Sequence, residues 1–201
     1  MNDSIDNLRQ ALAQRPLPRW SRMGPELGYG RHRGPARSTT RQAAVLLALF
    51  HREDEWRLPL TVRPAGMSRH QGQISLPGGL IEPDEDSEAA ALREFGEELG
   101  PASVEIVGAL EECYVYVSDT VVIPWVGVLQ RHRAWQPNPR EVERVIELPL
   151  KLLEDPAAQS ISIVQRGPLQ FKSPGYDVGT DHVWGATAVI LEQFANLLRR
   201  H

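Results

Sequence analysis

The period of apolar positions changes several times along the chain, and each change marks an element. Ala43 to Phe50 (AAVLLALF) is a short unbroken apolar run, as expected for a strand buried on both faces. His51 to Glu55 predicts a turn and Trp56 to Val62 a second strand. Pro64 to Gly72 reads as a loop, and Gln73 to Leu76 as a short strand running into Pro77-Gly78-Gly79. Val104 to Leu110, Tyr114 to Val117 and Val121 to Leu129 have strand composition, with Ser118-Asp119 as the turn before the last. Glu141 to Leu148 mixes charged and β-branched residues after the loop Pro137-Asn138-Pro139. Ile161 to Val164 and Leu169 to Phe171 suggest a late hairpin. Helical spacing occurs at both ends of the chain. Ser4 to Gln14 sets Ile5, Leu8 and Leu12 on one side, and Ala186 to Arg199 repeats Val189, Ile190, Phe194 and Leu197. Pro149 to Leu153 predicts a short helix. Arg15 to Thr40, rich in Pro, Gly and Arg, predicts an irregular arm. The pattern therefore predicts an N-terminal helix and arm over residues 1–40 and a single α+β layered domain over 41–201.

One more helix lies in the middle, within GLIEPDEDSEAAALREFGEEL (Gly79 to Leu99). Asp86 or Ser87 can cap its start, and Gly100-Pro101 ends it. On a wheel of about 100° per residue with Glu94 at zero, Glu97 falls near −60° and Glu98 near +40°. Arg93 lies beside them, while Leu92, Phe95 and Leu99 occupy another face. An oily face thus opposes a face carrying three carboxylates, which repel one another at this spacing. A solvated acidic face is one reading. A divalent cation bound by hard oxygen ligands is the other, and with no Cys or His nearby it would be Mg²⁺ or Mn²⁺ rather than Zn²⁺.

Composition narrows the setting. The chain has 201 residues, 41% apolar and 24% charged, with a net charge of −4. That is enough for one domain with a full core, and it offers no broad attraction for nucleic acid or membrane. Cys113 is the only cysteine, so no internal disulfide forms, and a core or strand position suits it. The N-terminal sequence lacks a basic-then-apolar signal, which gives a cytoplasmic expectation.

Gly79, Glu85 and Arg93-Glu94-Phe95-Gly96-Glu97-Glu98-Leu99-Gly100 fix their positions over some twenty residues, with Pro101 departing from the usual aliphatic residue. This arrangement resembles the Nudix box, the signature of hydrolases that cleave a nucleoside diphosphate linked to another group. A narrower resemblance extends over most of the chain. Leu60-Thr61-Val62-Arg63 through Arg69-His70-Gln71-Gly72-Gln73 to Pro77-Gly78-Gly79 is similar to the segment that precedes the box in the coenzyme A diphosphatase subgroup. SDTVVIPWV (Ser118 to Val126), NPREVERVIELPL (Asn138 to Leu150) and HVWGATA (His182 to Ala188) resemble that subgroup's downstream segments. Pro64, Ser68 and Leu76 depart from it.

The resemblance implies a Nudix fold, a mixed sheet sandwiched between helices in α/β/α layers. It implies Mg²⁺ or Mn²⁺ held by Glu94 and Glu98, with Glu97 completing the shell or holding a metal-bound water, and the Gly79 carbonyl as a further ligand. Arg93 would orient the glutamates or form a structural salt bridge, and Glu85 would brace the loop or Arg93 or touch the metal. Glu97 or Glu141 would be the general base; for Glu141 a solvent-facing strand edge is the other reading. Arg63, Arg69 and His70 are candidate phosphate binders, His70 equally a loop residue bonded to backbone. The Arg31-His32-Arg33 cluster would touch phosphate or simply be solvated, and Trp20, Trp56, Trp125, Trp135 and Trp184 would pack or stack on a base. The implied substrate is coenzyme A or an acyl-coenzyme A, yielding 3′,5′-ADP and a 4′-phosphopantetheine product. ADP-ribose, a dinucleotide or a damaged nucleotide is the alternative, and a catalytically silent binding module is a third reading. The partner would be a small nucleotide, with no nucleic acid or membrane; monomer and homodimer both stay open.

Overall fold

A computed structural model describes residues 2–14, 37, 39–65, 72–115, 117–131, 134–166 and 169–199. The elements in order are helix α1 (Asn2–Ala13), strands β1 (Arg41–Arg52), β2 (Glu55–Val62), β3 (Ile74–Ser75) and β4 (Gly78–Leu80), helix α2 (Ser87–Leu99), strands β5 (Val104–Ala109), β6 (Cys113–Val115), β7 (Thr120–Leu129) and β8 (Arg144–Pro149), helix α3 (Leu150–Glu154), strands β9 (Gln159–Arg166), β10 (Leu169–Val178) and β11 (Asp181–Trp184), and helix α4 (Ala186–Leu198).

Strand β1 organises the molecule. It runs parallel to β7 from Arg41 to Leu49, antiparallel to β4 at Ala43 to Val45, and antiparallel to β2 at its far end. β2 continues the sheet to β3 and β8, and β5 and β6 pair with β7. Successive side chains of a strand point to opposite faces. Ala44, Leu46, Ala48 and Phe50 meet Ala90, Ala91, Phe95 and Leu99 of α2 in one core. Ala43, Leu47 and Leu49 join α1 and α4 in the other, through Leu8 and Leu12 and through Ile190, Leu191 and Phe194. Helices cover both faces, so the apolar run of β1 has no polar alternation: the expected α/β/α layering. A second, three-stranded sheet in the order β11-β10-β9 completes the molecule.

Element boundaries differ from the sequence pattern in several places. The turn after β1 is only Glu53-Asp54, both left-handed (φ 53° and 59°), and the polar residues His51, Arg52 and Glu55 pair within the hairpin instead of forming a loop. The strand expected over Tyr114 to Val117 is Cys113–Val115. The strand expected over Leu169 to Phe171 continues to Val178 through Pro174. The charged stretch after Glu141 becomes strand only from Arg144. No helix among the described residues is long and apolar enough to cross a membrane. The Arg31-His32-Arg33 cluster, Ser68, Arg69, His70 and Trp20 lie outside the described residues.

Candidate active site

The site forms where α2, β4 and the loop after β7 meet. Asp86 caps α2, its side chain accepting the Ala89 N–H at 2.8 Å. Gly78 and Gly79 are squeezed between strand and helix, one glycine for each neighbour. A Cβ on Gly78, which is also left-handed at φ 151°, would run into the β1 backbone at Ala44 and Val45. A Cβ on Gly79 would occupy the space of the Glu94 carboxylate. The Gly79 backbone therefore lies directly against Glu94, beside the position where a carbonyl ligand was expected.

Arg93 ties the acidic groups together. Its Nε and Nη2 donate to both Glu85 oxygens at 3.1 and 2.7 Å, its Nη1 donates to Glu94 at 2.9 Å and to Glu97 at 3.3 Å, and Nη2 also reaches the Leu80 carbonyl at 3.2 Å. A two-pronged guanidinium–carboxylate pair of this kind fixes direction as well as charge. Glu85 is itself held by the Glu82 N–H at 2.7 Å, and its pKa is lowered first by the hydrogen bond from Arg93. Glu85 thus grips Arg93 and the loop backbone.

Three carboxylates gather: those of Glu94, Glu98 and Glu141 offer oxygens within 4.8 Å of one another. Glu97 is not among them. Its side chain is 51% exposed and lies on Arg93, one helical turn earlier. The wheel fixes where a Cβ points; the final position of a long side chain depends on the charge it meets, and for Glu97 that charge is Arg93. Glu98 is only 2% exposed. Its pKa is raised to about 8, first by burial and also by the charges of Glu94 and Glu141, against the opposing charge of Arg63. The Glu94 pKa is raised as well, by burial first, against the opposing bonds from Arg93. When all three are ionised they repel one another, and the deep burial of Glu98 disfavours that state. A hard divalent cation relieves that repulsion, and the all-oxygen donor set fits one.

Glu141 reaches Glu98 by way of backbone hydrogen bonds. The last carbonyls of a helix lack partners within it. Here the Glu98 carbonyl accepts the Asn138 N–H at 2.9 Å and the Leu99 carbonyl accepts the Gln136 N–H at 3.0 Å. The Asn138 carbonyl accepts from Glu141 and Val142 at 3.0 and 2.8 Å, and its side-chain oxygen accepts the Arg140 N–H at 3.2 Å. The loop carrying Glu141 is therefore fastened to the turn that carries Glu98.

Two contributors were not singled out from the sequence. Thr61, buried in β2, donates to Glu98 at 3.4 Å; a lone hydroxyl in the apolar half of the strand, Leu58 to Val62, was the available signal. Asn138 was read only as part of a loop, although Asn between two prolines in the resembling segment marked it. Arg63 directly follows β2, close enough for its charge to favour ionised Glu98, and its buried Nε has no acceptor among the described residues. The described tryptophans all have protein partners: Trp125 donates to Ser87, Trp135 donates to Glu147 and packs edge-on to Phe50 and Phe95, Trp56 meets His51, and Trp184 meets Phe171.

The NUDIX domain family model matches residues 40–165. Nudix hydrolase 22, chloroplastic, of Arabidopsis thaliana is 35% identical over 210 residues, which cover 98% of this chain and 68% of the relative. An uncharacterised Nudix hydrolase NudL of Enterobacter sp. (strain 638) is 35% identical over 165 residues, covering 77% of this chain and 81% of the relative. A MutT/nudix family protein from Enterococcus faecalis has the same fold, at a TM-score of 0.54 and 13% identity over 84% of this chain and 66% of that one. The chain belongs to the Nudix hydrolase family. As such it is an enzyme that hydrolyses diphosphate linkages in nucleoside diphosphate derivatives.

Proposed function

We propose that this chain is a Mg²⁺-dependent diphosphatase that splits coenzyme A or acyl-coenzyme A into 3′,5′-ADP and (acyl-)4′-phosphopantetheine. The meeting of Glu94, Glu98 and Glu141, with the charge of Arg63 beside them, carries the reading. Support for the substrate comes from the segments similar to the coenzyme A subgroup, which lie far apart in sequence and touch in the fold. The tail HVWGATA reaches the segment before the box, where Thr187 donates to the Ile74 carbonyl at 3.2 Å. The NPREV segment lies on the end of α2. The departures at Pro64 and Ser68 favour a second reading, the same chemistry on ADP-ribose or another nucleotide.

Glu94 and Glu98 would hold the cation, which cancels diphosphate charge and acidifies a water. Glu94 is engaged by Arg93 and Glu98 by Thr61, whereas the Glu141 carboxylate accepts no hydrogen bond among the described residues. That freedom supports Glu141 as the base that would take the proton of the attacking water. Arg63, whose charge lies beside the cluster, would bind a phosphate oxygen, with Arg69 and His70 as further phosphate binders. Arg93 holds Glu94 in direction while Glu85 and Glu97 hold Arg93.

The test is incubation with Mg²⁺ and coenzyme A, an acyl-coenzyme A, ADP-ribose and NADH, with products separated chromatographically. Release of 3′,5′-ADP from coenzyme A is expected. Preference for ADP-ribose would reject the coenzyme A assignment, and inertness across the panel would favour a silent module. Glu98→Gln is expected to abolish turnover with the fold intact.

A further inference from the structure

We propose that two copies of this chain pair along β9, joining their three-stranded sheets into one of six strands across a twofold axis. Strand β9 lies at the end of the order β11-β10-β9 and is an open edge among the described residues. Edge strands present unpaired backbone groups, and proteins usually blunt them with charge, proline or a bulge. From Gln159 to Gln165 this edge carries none of these: the residues are Gln, Ser, Ile, Ser, Ile, Val and Gln, and the pairing to β10 is regular throughout. Ile161 and Ile163 are 66% and 65% exposed, a cost a monomer has no reason to bear on one face of an edge.

The residues on that face point to a second copy as the partner. The exposed alternate positions are Gln159, Ile161, Ile163 and Gln165, a sequence that reads the same in both directions. An antiparallel twofold pairing centred on Ser162 sets Ile161 opposite Ile163 of the second copy, Gln159 opposite Gln165, and Ser162 opposite itself. A twofold contact must be self-complementary in this way. Shifting the register by one residue would put the isoleucines on opposite faces. Shifting the centre to Ile161 or Ile163 would oppose an isoleucine to a glutamine and lose one of the two Ile–Ile pairings. The interior of the contact is uncharged, so the two copies do not repel.

Sedimentation equilibrium of the full chain over a concentration series tests this. An average mass rising from one chain toward two is expected as the concentration passes through the micromolar range, for a Kd of about 1 μM. Ile161→Lys and Ile163→Lys sit on the exposed face, so the fold should survive, as circular dichroism would show. Each is expected to weaken association about tenfold or more, because an ammonium would have to enter the contact. The register has its own test. Ser162→Cys would face its own copy at the ~4.5–5.5 Å spacing of opposed strand residues, within disulfide reach. It should cross-link under mild oxidation, whereas Gln159→Cys, which faces Gln165, should not. The native Cys113 is the only other cysteine and is partly buried, with its thiol pushed up to about 11 by burial. A single-chain mass at every concentration would overturn the proposal. So would a dimer indifferent to both lysine variants, or equal cross-linking by the two cysteine variants.

Discussion

Gly79 and Glu94 share one small space, and enlarging either displaces the other. Gly79→Ala needs no unusual backbone angle; it fails because the new methyl would lie where the Glu94 carboxylate now sits. Cation affinity, measured by calorimetry, is expected to drop about 10- to 100-fold, the range seen when support for a metal ligand is lost, while the thermal transition stays cooperative. Glu98 gives a second expectation, in pH. Its carboxyl titrates near 8 in the folded protein and near its ordinary 4.5 in the unfolded chain. Between those values the folded state holds the extra proton, so stability must fall as pH rises through this window. At ~1.4 kcal/mol per pKa unit the loss is at most a few kcal/mol. Mg²⁺ binds the ionised form and should reverse the trend, with proton release on titration between pH 5 and 8. A melting temperature of the metal-free protein that climbs across this range would contradict the assignment. Thr61 and Asn138 show what the one-dimensional pattern hides. A buried hydroxyl and a loop amide have no periodicity, and their importance lies in partners 37 residues away for Thr61 and 40 for Asn138.

At the scale of elements, the acidic helix α2 was readable because several local signals agreed: Asp86 at its start, an apolar stripe, and Gly100 at its end. The loop that completes the site was not, since Gln136 to Val142 has its shape fixed by carbonyls of a helix that precedes it by almost forty residues. Asn138→Ala removes the side-chain oxygen that receives the Arg140 N–H and leaves the two backbone ties. Trypsin is therefore expected to cut after Arg140 several-fold faster, and kcat to fall with little change in KM. Asn138→Asp, which keeps the acceptor, should restore both. In a Glu141→Gln background, Asn138→Ala should have no further effect on rate if it acts by placing Glu141. The long strand β10 was cut short in the sequence reading because Pro174 and Gly175 interrupt its pattern. In the fold Pro174 takes a regular place opposite Ile161.

Across the whole molecule, β1 serves two cores at once. Leu46 faces α2 and Leu47 faces α1 and α4, and both are fully buried. Leu46→Ala and Leu47→Ala should each cost about 2–5 kcal/mol in urea unfolding, whereas in a one-faced sheet only one of two neighbouring positions would be expensive. An unbroken apolar octet announces such a strand but cannot say which helices lie above and below it, because that depends on contacts distant in sequence. Glu98 has two duties, a side chain in the reaction centre and a carbonyl that moors the Gln136 to Val142 segment. Unwinding α2 by its final turn would cast off that mooring and withdraw two of the three acids together. Gentle warming should therefore silence the enzyme some degrees before calorimetry registers melting, and cooling should restore it in full.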